Sequence, residues 1–113
     1  MRHKQQIRGH LDLLTLSVLA DGPLHGYAVI ERLRARSGEV FDLPEGSMYP
    51  ALHRLERSDL ITAEWSSVQG RRRKTYRLTD RGRRALSAQR RDWEEFATAV
   101  RSVVGGAPWP ATN

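Results

Sequence analysis

The chain has 113 residues, 39% hydrophobic and 28% charged, with 19 Lys+Arg against 13 Asp+Glu for a formal net charge of +6. That is enough for one domain with one modest core, and no apolar run approaches the roughly 20 residues that cross a bilayer. With no cysteine the chain has no disulfide, thiolate metal site or cysteine nucleophile; its N-terminus leads into no signal-type apolar core, so a cytoplasmic protein is predicted.

The first periodic stretch, residues 11–20, places Leu11, Leu14 and Val18 at helical spacing and closes on Asp21-Gly22-Pro23. A second helix is predicted from Gly26, with Tyr27, Ile30 and Leu33 as its apolar stripe and Gly38 as its end. His25-Gly26-Tyr27 at its start reads as a close-packing device. A third helix is predicted over residues 45–58, with Met48, Leu52 and Leu55 on one face and Gly46, Pro50, His53 and Arg57 opposite, flanked by Tyr49 and Arg54. Pro50 predicts a later helix start or a local distortion, because proline lacks the N–H that an interior position donates.

The period then changes. Ile61–Trp65 and Thr75–Leu78 are short, β-branched and aromatic, with Gln69-Gly70 between them, and read as a hairpin. Thr79 suits the N-cap of a last helix and Asp80 its first turn. That helix is predicted over residues 80–104, with Leu86, Trp93 and Val100 repeating every seven residues and Ala97 and Val104 at intervening positions. Gly82 inside it should cost about 1 kcal/mol relative to alanine. Gly105-Gly106 ends the helix, and residues 105–113 are predicted to be a disordered tail.

The excess charge is local. Residues 71–91 carry ten basic side chains against one acidic, and the remainder is slightly acidic. Such a cluster serves an anionic partner or is a solvated face. Three helices, a basic-tipped hairpin and a closing helix describe a mainly α (α+β) winged helix-turn-helix. Residues 1–79 would form the DNA-binding unit and residues 80–104 a long closing helix, for which the resemblance described below implies a role in dimerisation. In that arrangement the third helix enters the major groove and the hairpin wing lies along the phosphate backbone. Ser47, Tyr49, Pro50, His53, Arg54 and Arg57 are then the candidate contacts of the third helix. Arg71, Arg72, Arg73 and Lys74 supply salt-sensitive affinity that is independent of sequence.

Catalysis has little support. The four histidines have no metal-ligand spacing, Ser17, Ser47 and Asp59 sit in no nucleophile elbow, and no glycine-rich phosphate loop is present; no cofactor or metal is expected. Two other readings compete with a specific regulator: a winged-helix module that binds an acidic protein, and a nucleoid-type protein that binds DNA without an effector. Membrane-surface binding is disfavoured because the basic residues start in a hairpin rather than along one helix face.

The chain resembles the PadR family of transcriptional regulators, in its short subfamily with one C-terminal dimerisation helix. The matching residues are Leu24-His25-Gly26-Tyr27, the run from Gly46 to Glu56, Leu60-Ile61, Trp65, Gly70-Arg71-Arg72-Arg73-Lys74-Thr75-Tyr76 and Leu78-Thr79-Asp80-Arg81-Gly82. Each piece alone is weak; their order and spacing together are specific. Asp59 departs from the pattern, which usually has glycine there, at a helix end where aspartate tolerates left-handed geometry. The resemblance implies a homodimer whose C-terminal helices cross onto the partner, and repression of nearby genes at a double-stranded DNA operator. It also implies release by a small aromatic effector. By position Trp93 matches a tryptophan that lines a drug-binding pore at the dimer centre in one repressor of this subfamily, with Phe96 one turn further on. The plainer reading of Trp93 is an interface anchor, since aromatic residues concentrate at such surfaces. Asp92, Glu94 and Glu95 predict an acidic surround suited to a cationic ligand. A chain this short leaves no room for a separate sensor domain, so an effector pocket is expected from the dimer.

Overall fold

The computed structural model describes residue 7 and residues 9–106. The elements run α1 (Leu11–Leu19), β1 (Leu24–His25), α2 (Gly26–Arg36), α3 (Glu45–Arg57), β2 (Ile61–Val68), β3 (Arg71–Leu78) and α4 (Asp80–Val104). The three strands form one antiparallel sheet in the order β1-β3-β2. This is the winged helix-turn-helix expected, with a third, two-residue strand that sequence reasoning missed. Leu24 and His25 pair with Tyr76 and Thr75, a contact across some fifty residues of chain that no local pattern announces.

Helix α1 lies at the centre, against α2, α3, α4 and β3. Its buried side chains are Thr15, Leu16, Val18 and Leu19, whereas Leu11 and Leu14 are only half-buried. The predicted stripe of Leu11, Leu14 and Val18 is corrected accordingly. A helix packed on several sides and apolar nearly all round has no single face for periodicity to find. Helix α2 also differs from expectation: Val29, Ile30 and Leu33 face the core, and Tyr27 is 53% exposed. Its start is capped by His25, whose Nδ1 accepts from the Ala28 N–H at 3.3 Å.

Helix α3 begins at Glu45 and runs through Pro50, so the later start is not observed. The Ser47 and Met48 N–H groups both donate to the Pro44 carbonyl, at 3.0 and 3.1 Å. Pro50 leaves one carbonyl of the first turn, that of Gly46, without its helical donor. Met48, Ala51, Leu52 and Leu55 are buried as the spacing predicts. The helix ends in a Schellman arrangement: Leu60 N–H donates to Leu55 and Asp59 N–H to Glu56, each at 3.0 Å. Asp59 occupies the left-handed position with φ 63°.

The hairpin is longer than its apolar cores suggest. Strands β2 and β3 pair from Ile61↔Leu78 to Val68↔Arg71, leaving Gln69-Gly70 as a two-residue turn with φ of 52° and 78°. Both angles positive is the turn type whose twist matches paired strands, and a glycine suits it. All four wing cations therefore lie on a strand, where the loop was also expected to carry some. Thr79 caps α4, its Oγ1 accepting from Gly82 N–H at 2.9 Å. Along α4, Leu86 and Ala97 are buried, while Trp93, Phe96, Val100, Val103 and Val104 face outward. The seven-residue stripe thus divides between the chain's own core and an open surface. The helix stops at Gly105; residues 107–113 of the predicted tail lie outside the described residues.

Candidate nucleic-acid interface

The recognition helix α3, the start of α2 and the wing enclose a groove of about 570 Å³. Tyr49 and His53 come from α3, Arg71, Arg72, Arg73 and Lys74 from β3, Trp65 from β2 and Tyr27 from α2. Six of the predicted site residues therefore meet in one concave surface. Tyr49 is seated by Gly26: a Cβ there would lie 2.5 Å from the tyrosine ring, so His25-Gly26-Tyr27 is the close-packing device expected. Burial, with Glu45 nearby as the lesser cause, pushes the Tyr49 phenol above its ordinary pKa of 10.0. The phenol is neutral near pH 7 and available as hydrogen-bond donor and acceptor.

The wing cations differ in their commitments. Arg71, Arg72 and Arg73 are exposed, and among the described residues no carboxylate pairs with them. The Arg72 guanidinium stacks 4.7 Å from the Trp65 ring centre, which orders it without neutralising it. Lys74 instead reaches back to the recognition helix and pairs with Glu56 at 3.1 Å. Arg77, further along β3, pairs with Glu64 at 2.5 Å. Three guanidiniums on β3 without an ion-pair partner among the described residues are what a phosphate backbone can use.

The other third-helix candidates do not join the groove. Ser47 is half-buried, and Pro50 and Arg57 are exposed. Arg54 turns toward α1 and makes an ion pair with Asp12. It lies in a second cleft, of about 450 Å³, with His10, Asp92, Trp93 and Phe96. Missed from sequence were Tyr27, Trp65 and Tyr76 as groove-lining aromatics. Spacing alone assigns Tyr27 to a core stripe, and only its exposure on the folded helix reveals its place in the groove.

Trp93 stands apart from the groove. Its indole packs edge-on against His10, with ring centres 5.1 Å apart, and lies 6.1 Å from Phe96. Trp93 also borders a mostly apolar cleft of about 590 Å³, lined by Ile7, Leu13, Leu14 and Phe41 and by Arg36, Arg90 and Glu94. Both clefts are formed within a single chain. Arg54, Arg36 and Arg90 also make the surroundings of mixed charge, less acidic than Asp92, Glu94 and Glu95 alone predict. No described helix is long and apolar enough to cross a membrane.

Comparison with known proteins agrees with this architecture. The model of the PadR-like transcriptional regulator family matches residues 15–88, from α1 through the wing into α4. The chain is 40% identical over 106 residues to transcriptional regulator Rv3488 of Mycobacterium tuberculosis, covering 94% of each. Among solved structures, a transcriptional regulator from Clostridium thermocellum superposes with a TM-score of 0.80 at 28% identity, covering 87% of this chain and 96% of that one. A PadR family regulator from Eggerthella lenta gives 0.78 at 31% identity, over 88% of this chain and 86% of its own. With the recognition helix, the wing and the start of the long closing helix all inside the matched region, the chain belongs to the PadR-like family of transcriptional regulators.

Proposed function

We propose that this regulator is a cytoplasmic homodimeric repressor that binds a double-stranded DNA operator and responds to a small aromatic ligand. The observation that carries the DNA reading is the groove in which Tyr49 and His53 of α3 face the unpaired Arg71, Arg72 and Arg73 of β3. Tyr49 and His53 offer hydrogen bonds to base edges, with Ser47, Pro50 and Arg57 on the remainder of the helix, and the arginines neutralise phosphates. Arg54 can join them only by leaving Asp12. Dimerisation is supported by the outward stripe of α4, where Val103 and Val104 are 86% and 81% exposed. A run of large apolar side chains left in water is the mark of a surface that a partner covers. A second copy would place two recognition helices about one DNA turn apart. Trp93 and Phe96, exposed beside two clefts, support the effector reading, since planar aromatic molecules stack on such rings.

The test is selection of bound fragments from the organism's own DNA, repeated with planar aromatic compounds present. Recovery of a near-palindromic site, lost on adding an effector, is the expected result. A selection that returns no preferred sequence would favour the nucleoid-type or protein-binding alternative. Within this reading, Arg72→Ala with Arg73→Ala lowers affinity for all sequences and reduces the salt slope by about 0.9 for each phosphate that is no longer neutralised. An unchanged slope refutes the wing assignment.

A further inference from the structure

Strand alternation divides the wing cations into two sets. Arg72, Lys74 and Tyr76 share one face of β3, and Trp65 sits directly opposite Lys74 on β2. The Lys74 ammonium lies 6.0 Å from the Trp65 ring centre, 5.4 Å from that of Tyr76 and 3.1 Å from Glu56 Oε1. With side chains 25% and 35% exposed, Lys74–Glu56 is the least exposed ion pair among the described residues. It is also the one that ties the wing to the recognition helix. For Lys74 to reach a phosphate it would have to abandon a half-buried carboxylate and leave it unpaired beside DNA, which is unfavourable twice over.

From this geometry, and resting on the DNA-binding reading above, we infer that Lys74 is a positioning residue rather than a phosphate contact. It neutralises the carboxylate that α3 would otherwise present to DNA, and it holds the wing at the angle at which α3 and the arginines meet the duplex together. Sequence places Lys74 in a run of four equivalent cations. The fold sets it apart from Arg71, Arg72 and Arg73, which have no such partner among the described residues.

Counterion release separates the two roles, because a phosphate contact adds about 0.9 to the slope of log affinity against log salt and a positioning residue adds nothing. The test measures binding of the full chain to a random-sequence DNA duplex across a salt titration, for Lys74→Met, Glu56→Gln, the exchanged pair Lys74→Glu with Glu56→Lys, and Arg73→Met as reference. Lys74→Met and Glu56→Gln should each weaken binding about fivefold with the slope unchanged, and shift the Trp65 emission. The exchanged pair should recover about half of that loss, since it restores the pairing at constant net charge. Arg73→Met should lower the slope by about 0.9. A fall in slope of that size for Lys74→Met overturns the proposal. So does tighter binding by Glu56→Gln, the result expected if releasing Lys74 gave it to a phosphate. If Arg73→Met leaves the slope unchanged, the wing does not contact phosphate, and the DNA reading of the wing falls together with the role of Lys74. Glu56→Gln is nearly isosteric, so the comparison does not depend on Lys74→Met folding.

Discussion

Gly82→Ala reverses sign between local and tertiary reasoning. On helix propensity alone, alanine in the first turn of α4 should stabilise the protein by about 1 kcal/mol. In the fold, however, an added Cβ would lie 1.9 Å from the Leu60 carbonyl oxygen and 2.9 Å from its carbon. Since 3.0 Å is the shortest approach a real Cβ makes, α4 must withdraw by about 1.1 Å. Both obstacles are backbone, so no side-chain rotation relieves them. Two hydrogen bonds cross the same junction: Thr79 Oγ1 donates to the Asp59 carbonyl at 2.7 Å, and Thr79 N–H donates to Leu60 at 3.1 Å. Losing or stretching both costs about 1 kcal/mol each, and overpacking adds roughly 1–3 kcal/mol. After the propensity gain, a net destabilisation of about 2–4 kcal/mol remains, roughly 10–15 °C in Tm for a domain of this size. Urea and thermal unfolding at one fixed protein concentration measure it, because the stability of the proposed dimer depends on concentration. An unchanged or raised Tm would refute the close approach of α4 to Leu60.

At the neighbouring helix end, Asp59→Gly should stabilise by about 0.5–1 kcal/mol, because a non-glycine residue is held there at φ 63°; a lower urea midpoint would count against the left-handed assignment. Stability should decline above about pH 10. Tyr76 and Tyr49 are both raised from 10.0, chiefly by burial, and Lys74 is raised from 10.5, chiefly by its hydrogen bond to Glu56. Below these ordinary values the folded and unfolded chains carry the same protons on these groups. Above them the unfolded chain releases protons first and gains relative stability, so Tyr76→Phe should flatten the alkaline fall of Tm, and an equally steep fall would refute this source. If the proposed dimer forms through the outward stripe of α4, replacing Val103 and Val104 with glutamate should shift the chain toward monomer in sedimentation with its helix content retained; an unchanged molecular weight would refute that assignment.

Much of the candidate interface was legible because its signals are local. Tyr49 and His53 follow from helical spacing away from Met48, Leu52 and Leu55, and the wing arginines follow from a run of charge after Gln69-Gly70. What local pattern could not rank was commitment. Arg54 and Lys74 look like free cations in sequence, yet each faces a carboxylate brought from elsewhere in the chain, Asp12 and Glu56. Tyr27 has the composition of a core residue and the position of a groove residue. Periodicity puts Trp93 on the right helix, but its packing on His10 depends on where α1 begins.

By itself the sequence determined the order and approximate span of the helices, the hairpin, the Thr79 cap and the location of the basic segment. These depend on contacts between residues close along the chain: i to i+4 spacing, turn conformation and side chains that cap nearby backbone groups. Only the tertiary structure decided the third strand, which side chains of α1 are buried, the partners of Arg54 and Lys74, and the sign of the Gly82 effect. Each of those is set by a residue more than fifteen positions away. Burial and pairing at such a site depend on where the rest of the chain comes to rest, and no periodicity within one segment records that.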